Sequence, residues 1–500
     1  MNTAWDVIVI GGGNAALCAA VAAAERGART LVLERASRAD RGGNSAYTAG
    51  AMRVAYEHEG DIRRLVPDLS DDDRATSDFG TYGAEEFLND MRTVTNGRTD
   101  PEMSAALVQR SLPTLLWMQG HGVRFTPLYH RQSYLVDGVR RFWGGLTFGA
   151  EGAGPGLVDR LHDAAAALGV EVWYGARAIG LRSRGRVVDA VVVERDDAVE
   201  EVRCSAAIIA SGGFESSTEM RTRYLGPGWD MAKVRGTHHN TGDGIRMALD
   251  AGAMSWGQYS GAHAVFWDRD TAQFGNLDIS NEHSKLSYPL GIIVNLAGQR
   301  FVDEGADFRN YTYAKYGREI LKQPGQQAWQ LYDAKVVSML QKDYDTPAVT
   351  KVEAETLEEL ADLMEGVDKG ALLATIETFN DSIDTARPFD PTRKDGRAAR
   401  SVTPPKSNWA NALDTPPYVA FAVTVGITFT FGGVRIEPDT ARVVTSSGDP
   451  FHNLFAAGEI VGGLFFDNYP GGAGLTAGSV FGRIAGATAG ALVGTREVTT

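Results

Sequence analysis

Cysteine is nearly missing from this chain of 500 residues, which carries only Cys18 and Cys204. Two thiols exclude a disulfide framework, a four-cysteine zinc site and a cysteine-ligated iron–sulfur cluster. No apolar run reaches the ~18 residues of a membrane span, and the start, MNTAWDVIVIGGG, lacks the basic and apolar segments of an export signal. These absences predict a cytoplasmic protein. Positive charge is short as well: 49 Lys plus Arg against 63 Asp plus Glu leave a formal net charge of -14. That balance disfavours nucleic acid or an anionic membrane as the main partner, so any acidic substrate needs a local nest of cations. No metal site is expected, since His238 and His239 have no partner at ligand spacing.

Glycine, by contrast, is abundant, with 58 in the chain, often paired at the edges of apolar runs. Glycine there lets backbone approach a ligand closely. The first strand pattern, Trp5–Ile10, ends at Gly11-Gly-Gly13. An Ala-rich helix pattern follows from Asn14 to Arg26, and a second strand, Thr30–Leu33, ends in Glu34. This is a βαβ unit whose turn reads Gly11-x-Gly13-x-x-Ala16. The glycines permit a tight turn against a pyrophosphate seated on the helix N-terminus, and Glu34 is placed to accept hydrogen bonds from a ribose.

Helices are predicted at Ala84–Val94, Pro101–Gly120 and Gly156–Leu168. Strands follow at Val170–Trp173, Ala178–Arg182, Val187–Glu194 and Ala206–Ser211. From Trp256 to Val425 the glycine pairs thin out and helices alternate with loops, including Leu357–Glu365 and Lys369–Asp381. Glycine-rich β/α texture then returns, with a strand at Val423–Phe429 and a helix at Thr476–Leu492. Asp71-Asp-Asp73 reads as a solvated loop. The fold class is α/β: a Rossmann-type dinucleotide domain, split in sequence (1–255 and 426–500), with an inserted α+β capping domain (256–425).

Four segments resemble the fumarate reductase/succinate dehydrogenase flavoprotein family. They are Val7–Glu34, Arg41-Gly-Gly-Asn-Ser45, Gly298-Gln-Arg-Phe-Val-Asp-Glu304, and Phe455–Ile460 with Pro470-Gly-Gly-Ala-Gly-Leu-Thr476. Within that family the likeness is to the FAD-dependent tricarballylate dehydrogenases, carried by RFVDEGADFRNYTYAKYGRE and NYPGGAGLTAGSVFGRIAG. The resemblance implies FAD. Gly11, Gly13, Asn14 and Ala15 would meet its pyrophosphate, with Glu34 and Arg35 at the ribose. Arg41, Gly42, Gly43, Asn44, Ser45, Ala49 and Gly50 would lie beside the flavin, where Leu475, Thr476 and Gly474 start a helix whose positive end favours reduced flavin. Ala178, Ser211, Gly212, Gly242, Asp243, Gly458 and Glu459 are further expected contacts. Some family members hold FAD through a histidine after the second strand; between Glu34 and Gly50 there is none, which predicts dissociable FAD.

Such sites use two histidines and two arginines to hold carboxylates, one arginine transferring a proton. His263 matches the first histidine, and Arg309 falls one residue beyond the proton-transferring arginine. Thr428 stands at the second histidine and Tyr469 at the second arginine, while Lys285 and Tyr288 occupy the place of the acidic–basic proton relay. The expected substrate ligands are therefore Thr428, Lys285, Asn468 and Arg141 (or Arg140), with Arg309, His263, Tyr469 and Tyr288 as catalytic candidates. A tyrosine offers one donor where an arginine offers a fork, which argues against plain fumarate reduction. The implied reaction is dehydrogenation of a small polycarboxylic acid, tricarballylate to cis-aconitate in type, with electrons passed to an external acceptor such as a membrane iron–sulfur/haem protein. The alternatives are a 3-ketosteroid-type dehydrogenase, an enoate reductase on another acid, and a non-catalytic electron-transfer flavoprotein.

Overall fold

The computed structural model describes residues 5–279, 282–347 and 349–494. Strand Trp5–Ile10 is apolar on both faces because it runs inside a parallel sheet. It pairs with Thr30–Leu33 on one side and with the end of Ala198–Ile209 on the other. Glu171–Trp173 and Pro450–Ala456 extend the sheet in parallel at either end. Strand Ala198–Ile209 is longer than the Ala206–Ser211 expected. Its first half leaves the parallel core and pairs antiparallel with Val187–Arg195, which pairs in turn with Arg177–Arg184. The architecture is the expected split Rossmann-type domain with a capping domain inserted.

Helix Asn14–Ala24 packs against the last helix, Ala473–Gly494. Glycines every four residues make the approach possible. A Cβ at Gly482 would stand 2.3 Å from the Ala15 carbonyl oxygen, and one at Gly486 2.0 Å from that of Ala19. Asn14 ties the two helix starts together: its Nδ2 donates to the Leu475 carbonyl at 2.8 Å and its Oδ1 accepts from Ser479 Oγ at 3.0 Å. Ala84–Val94 and Pro101–Gly120 form at the predicted bounds, and the third helix spans Ala153–Ala167. Asp71–Asp73 is not a loop but the first turn of helix Asp71–Ala75, capped by Ser70. Carboxylates are favoured there by the positive helix end.

The inserted region departs most from expectation. Instead of helices and loops, its centre is a mixed six-stranded sheet built on Ser255–Asp268 and Tyr418–Val434, which run antiparallel. Tyr418–Val434 contains Gly426 and Gly433, which read as strand breakers. Here they admit neighbours: a Cβ would meet Trp267 Cβ at 2.8 Å from Gly426 and the Ile460 carbonyl oxygen at 1.9 Å from Gly433. The expected boundary at 425/426 falls inside this strand, and Lys233–Val234, from the first segment, joins the same sheet. Among the described residues no helix is long and apolar enough to cross a membrane.

Candidate active site

One cavity of about 250 Å³ runs from the first glycine turn to the underside of the cap sheet. At the turn, Gly11 has φ +113°, and a Cβ there would stand 2.4 Å from the Ala210 carbonyl oxygen. A Cβ at Gly12 would stand 2.4 Å from Glu34 Oε2. Bare backbone at a helix N-terminus is thus what the cavity meets, the arrangement that holds a pyrophosphate. Glu34 is buried, which pushes its carboxyl up, while the backbone N–H groups of Ala36 and Gly12 pull it back. Arg35 Nη1 reaches Asp243 at 3.1 Å and Thr241 Oγ1 at 2.8 Å, and Arg177 Nε reaches Asp243 at 2.8 Å. Burial alone would raise the Asp243 carboxyl; the Arg177 hydrogen bond and the surrounding arginines outweigh it and hold it below its usual range.

Along the cavity, the Asn14 N–H donates to Ser45 Oγ at 3.0 Å. Asn44 Nδ2 donates to Glu215 Oε1 and to the Thr428 carbonyl, both at 2.6 Å, and its Oδ1 accepts from the Thr237 N–H. Burial, then the neighbouring Glu459 carboxylate, raise the Glu215 carboxyl well above its usual range. Two helix N-termini, an acid at the strand end and an elongated glycine-lined trough fit FAD. All the cofactor positions expected from the sequence line this cavity except Arg41, Gly42, Gly50, Gly242 and Thr476. Arg41 instead pairs with Asp159 at 2.6 Å, and Thr476 Oγ1 donates to the Arg53 carbonyl at 2.8 Å. Gly42, Gly50 and Gly242 form left-handed turns whose added Cβ would meet Val158, Ala153 and Met220. These five do not line the cavity.

At the far end the cavity is lined by Arg309, His263, Tyr469 and Thr428. Four expected residues lie elsewhere. Tyr288 is fully buried in the cap, its hydroxyl 2.6 Å from Thr312 Oγ1. Lys285 is fully buried too; its Nζ donates to the Asp343 carbonyl at 2.8 Å and lies 3.9 Å from Asp268 Oδ2. Asn468 Nδ2 is spent on the Tyr311 carbonyl at 2.6 Å. Arg141 sits exposed on strand Val139–Phe142. The first two are enclosed within the cap, where Lys285 and Tyr288 are both 0% exposed.

In their place the fold brings Arg131 and Arg235, neither singled out by the sequence, to the same end of the cavity. Arg235 is buried and donates from Nη1 to Thr428 Oγ1 at 3.1 Å. Arg131 is held by Asp343 at 3.3 Å, and its carbonyl accepts from Arg309 Nη2. Burial, reinforced by the Arg131 charge, pulls the Arg309 guanidinium down to about 10. His263 is buried with neither ring nitrogen hydrogen-bonded, and burial followed by Arg235 holds it well below its usual pKa, so it is neutral. Its ring packs on Tyr313 and Tyr469, each with centroids 4.8 Å away, and the two tyrosine hydroxyls bond to each other. Burial keeps the Tyr469 phenol far above its usual value, which suits a donor rather than a base. Among the described residues no His, Cys, Asp and Glu cluster could hold a metal.

A family model described as an FAD binding domain matches residues 6–475, and the chain belongs to that FAD-binding family. A probable fumarate reductase Ifc3 of Shewanella frigidimarina (strain NCIMB 400) is 28% identical over 493 residues, covering 96% of this chain and 74% of that protein. Among solved structures, the open conformation of a flavocytochrome c3 fumarate reductase aligns with a TM-score of 0.72 at 24% identity, over 98% of this chain and 78% of that one. The 3-ketosteroid delta1-dehydrogenase from Sterolibacterium denitrificans aligns with a TM-score of 0.75 at 21% identity, over 98% of this chain and 100% of that one. The chain is an FAD-dependent oxidoreductase acting on carbon–carbon bonds.

Proposed function

We propose that this enzyme dehydrogenates a saturated carbon–carbon bond beside a carboxylate in a small polycarboxylic acid, tricarballylate to cis-aconitate in type. The observation that carries the reading is the convergence of Arg131, Arg235 and Arg309 on one end of the cofactor cavity, in a chain of net charge -14. Carboxylates are the ligands that two buried guanidinium forks and a half-buried third match best.

FAD, held without a covalent bond, supplies the two-electron oxidant. The protein's part is to position and deprotonate. Arg235 with Thr428 grips one carboxylate, and Arg131 another. The proton beside a carboxylate is weakly acidic, so these cations stabilise the charge that develops as it leaves. Arg309 accepts that proton: burial and the Arg131 charge lower its pKa to about 10, which raises the neutral fraction able to take it. His263, neutral and unbonded, and the Tyr313–Tyr469 hydroxyl pair orient the remaining polar groups. The electrons then leave to an external acceptor protein.

A second reading rests on that hydroxyl pair. Two coupled phenols beside aromatic Phe429 can donate to a ketone oxygen, which suits a 3-ketosteroid. Anaerobic mixing of the yellow protein with tricarballylate, succinate, citrate and a 3-ketosteroid separates the two. Bleaching by tricarballylate alone supports the first reading, bleaching by the steroid alone establishes the second, and bleaching by none refutes both.

A further inference from the structure

A second, smaller cavity of about 20 Å³ adjoins the first and shares Arg309 and Leu286 with it. Its walls are largely aromatic: Trp143 stacks between Tyr134 and Phe308, with centroids 6.0 and 5.5 Å away, and Trp409 packs on Phe308. Three polar atoms of the lining residues are buried and have no hydrogen-bond partner: Arg309 Nε, Trp143 Nε1 and Gln341 Oε1. Arg309 and Trp143 are only 5% and 7% exposed, so bulk water does not satisfy them. Two of the three atoms are donors and one is an acceptor. That set is the complement of a water molecule, which accepts two hydrogen bonds and donates two, and the volume exceeds the ~10–15 Å³ that one water needs. An apolar occupant would leave all three unsatisfied. Gln341 and Pro391, on the lining, are themselves partly exposed, so the cavity has a side toward solvent.

We propose that this cavity is a water site that carries the proton between Arg309 and solvent. The inference rests on the reading of Arg309 as the proton acceptor. In the forward reaction the C–H bond beside the carboxylate breaks and its proton passes to neutral Arg309, while bound FAD would take up the hydride from the neighbouring carbon. Protonated Arg309 then gives its Nε proton to the water, which accepts it as one of its own protons leaves along the Gln341 side to solvent. The guanidine is left neutral for the next substrate. Trp143 and Gln341 are positioning residues here: one donates to the water and the other orients its outgoing O–H.

The test uses the holoenzyme and two variants, Trp143→Phe, which keeps the stacked ring but loses Nε1–H, and Gln341→Leu, which keeps the volume but loses the acceptor. Steady-state turnover of tricarballylate with an artificial electron acceptor is followed in H₂O and D₂O across a range of pH. Both variants are expected to keep the bound-flavin spectrum and the substrate Kd. Each is expected to slow turnover by about tenfold, part of the 10²–10⁴ that positioned proton transfer contributes, with a larger solvent isotope effect than the parent. Parent-like rates and isotope effects in both variants would overturn the relay while leaving the dehydrogenase reading intact. A parent that no polycarboxylate bleaches overturns both together. A high-resolution crystal structure of the holoenzyme gives a second readout: a water bonded to Arg309 Nε supports the proposal, and direct protein partners for the three atoms overturn it.

Discussion

Replacing Arg235 with methionine tests the carboxylate site most directly. The side chain is 7% exposed, burial lowers its guanidinium pKa, and its Nη1 is set by Thr428 Oγ1 at 3.1 Å. Its charge therefore acts in a desolvated chamber where screening by salt is weak. A hydrogen bond between charged groups contributes about 1.5–3 kcal/mol, and ~1.4 kcal/mol is tenfold in affinity. Arg235→Met should thus weaken tricarballylate binding by about 10- to 150-fold on that scale. Stopped-flow bleaching against substrate concentration separates Kd from the limiting rate, and the limiting rate should fall too, since Arg235 also stabilises the charge that develops in the transition state. Arg235→Lys should fall between parent and methionine variant, because lysine keeps charge but loses the fork. An unchanged Kd for tricarballylate, with the flavin spectrum intact, would refute the assignment of Arg235 as a substrate ligand.

Further outcomes follow from other parts of the molecule. Because Arg309 must be neutral to take a proton and is pulled down to about 10, the bleaching rate should climb with pH toward that value; a flat profile removes Arg309 from the proton step. Gly486→Ala would drive a Cβ to 2.0 Å from the Ala19 carbonyl, and such overpacking costs about 1–3 kcal/mol, to be read as a lower Tm. Gly12→Ala displaces the Glu34 carboxylate and should yield protein that loses its flavin on gel filtration, whereas retention would show the turn to be tolerant. Lys285→Met breaks a buried charge contact with Asp268, destabilising by roughly 3–5 kcal/mol while leaving substrate preference unchanged.

The N-terminal unit was legible because its signals are local. Strand, glycine turn, helix, second strand and acid all fall between Trp5 and Glu34. The cap sheet was not, because the long strand Tyr418–Val434 holds glycines that serve packing, not turning. The anion site was half legible. Arg309 and His263 came through the family resemblance, but Arg131 and Arg235 stand on separate segments and meet only through the fold. Nothing in their neighbours distinguishes them from surface arginines. Lys285 and Tyr288 misled for the converse reason: closeness to a motif in sequence says nothing about which side of the cap sheet a side chain takes.

The bonds from Asn14 to Leu475 and Ser479 join residues more than 450 positions apart. They set the order in which the protein comes into being on the ribosome. At ~5–20 residues per second, tens of seconds separate the emergence of the two partners. During that interval the first helix waits with its alanine-rich face bare, and the sheet waits for its last parallel strand, Pro450–Ala456. The cofactor trough is therefore complete only after Gly474, Leu475 and their neighbours have emerged, and until then the apolar first helix lacks the cover of the last one.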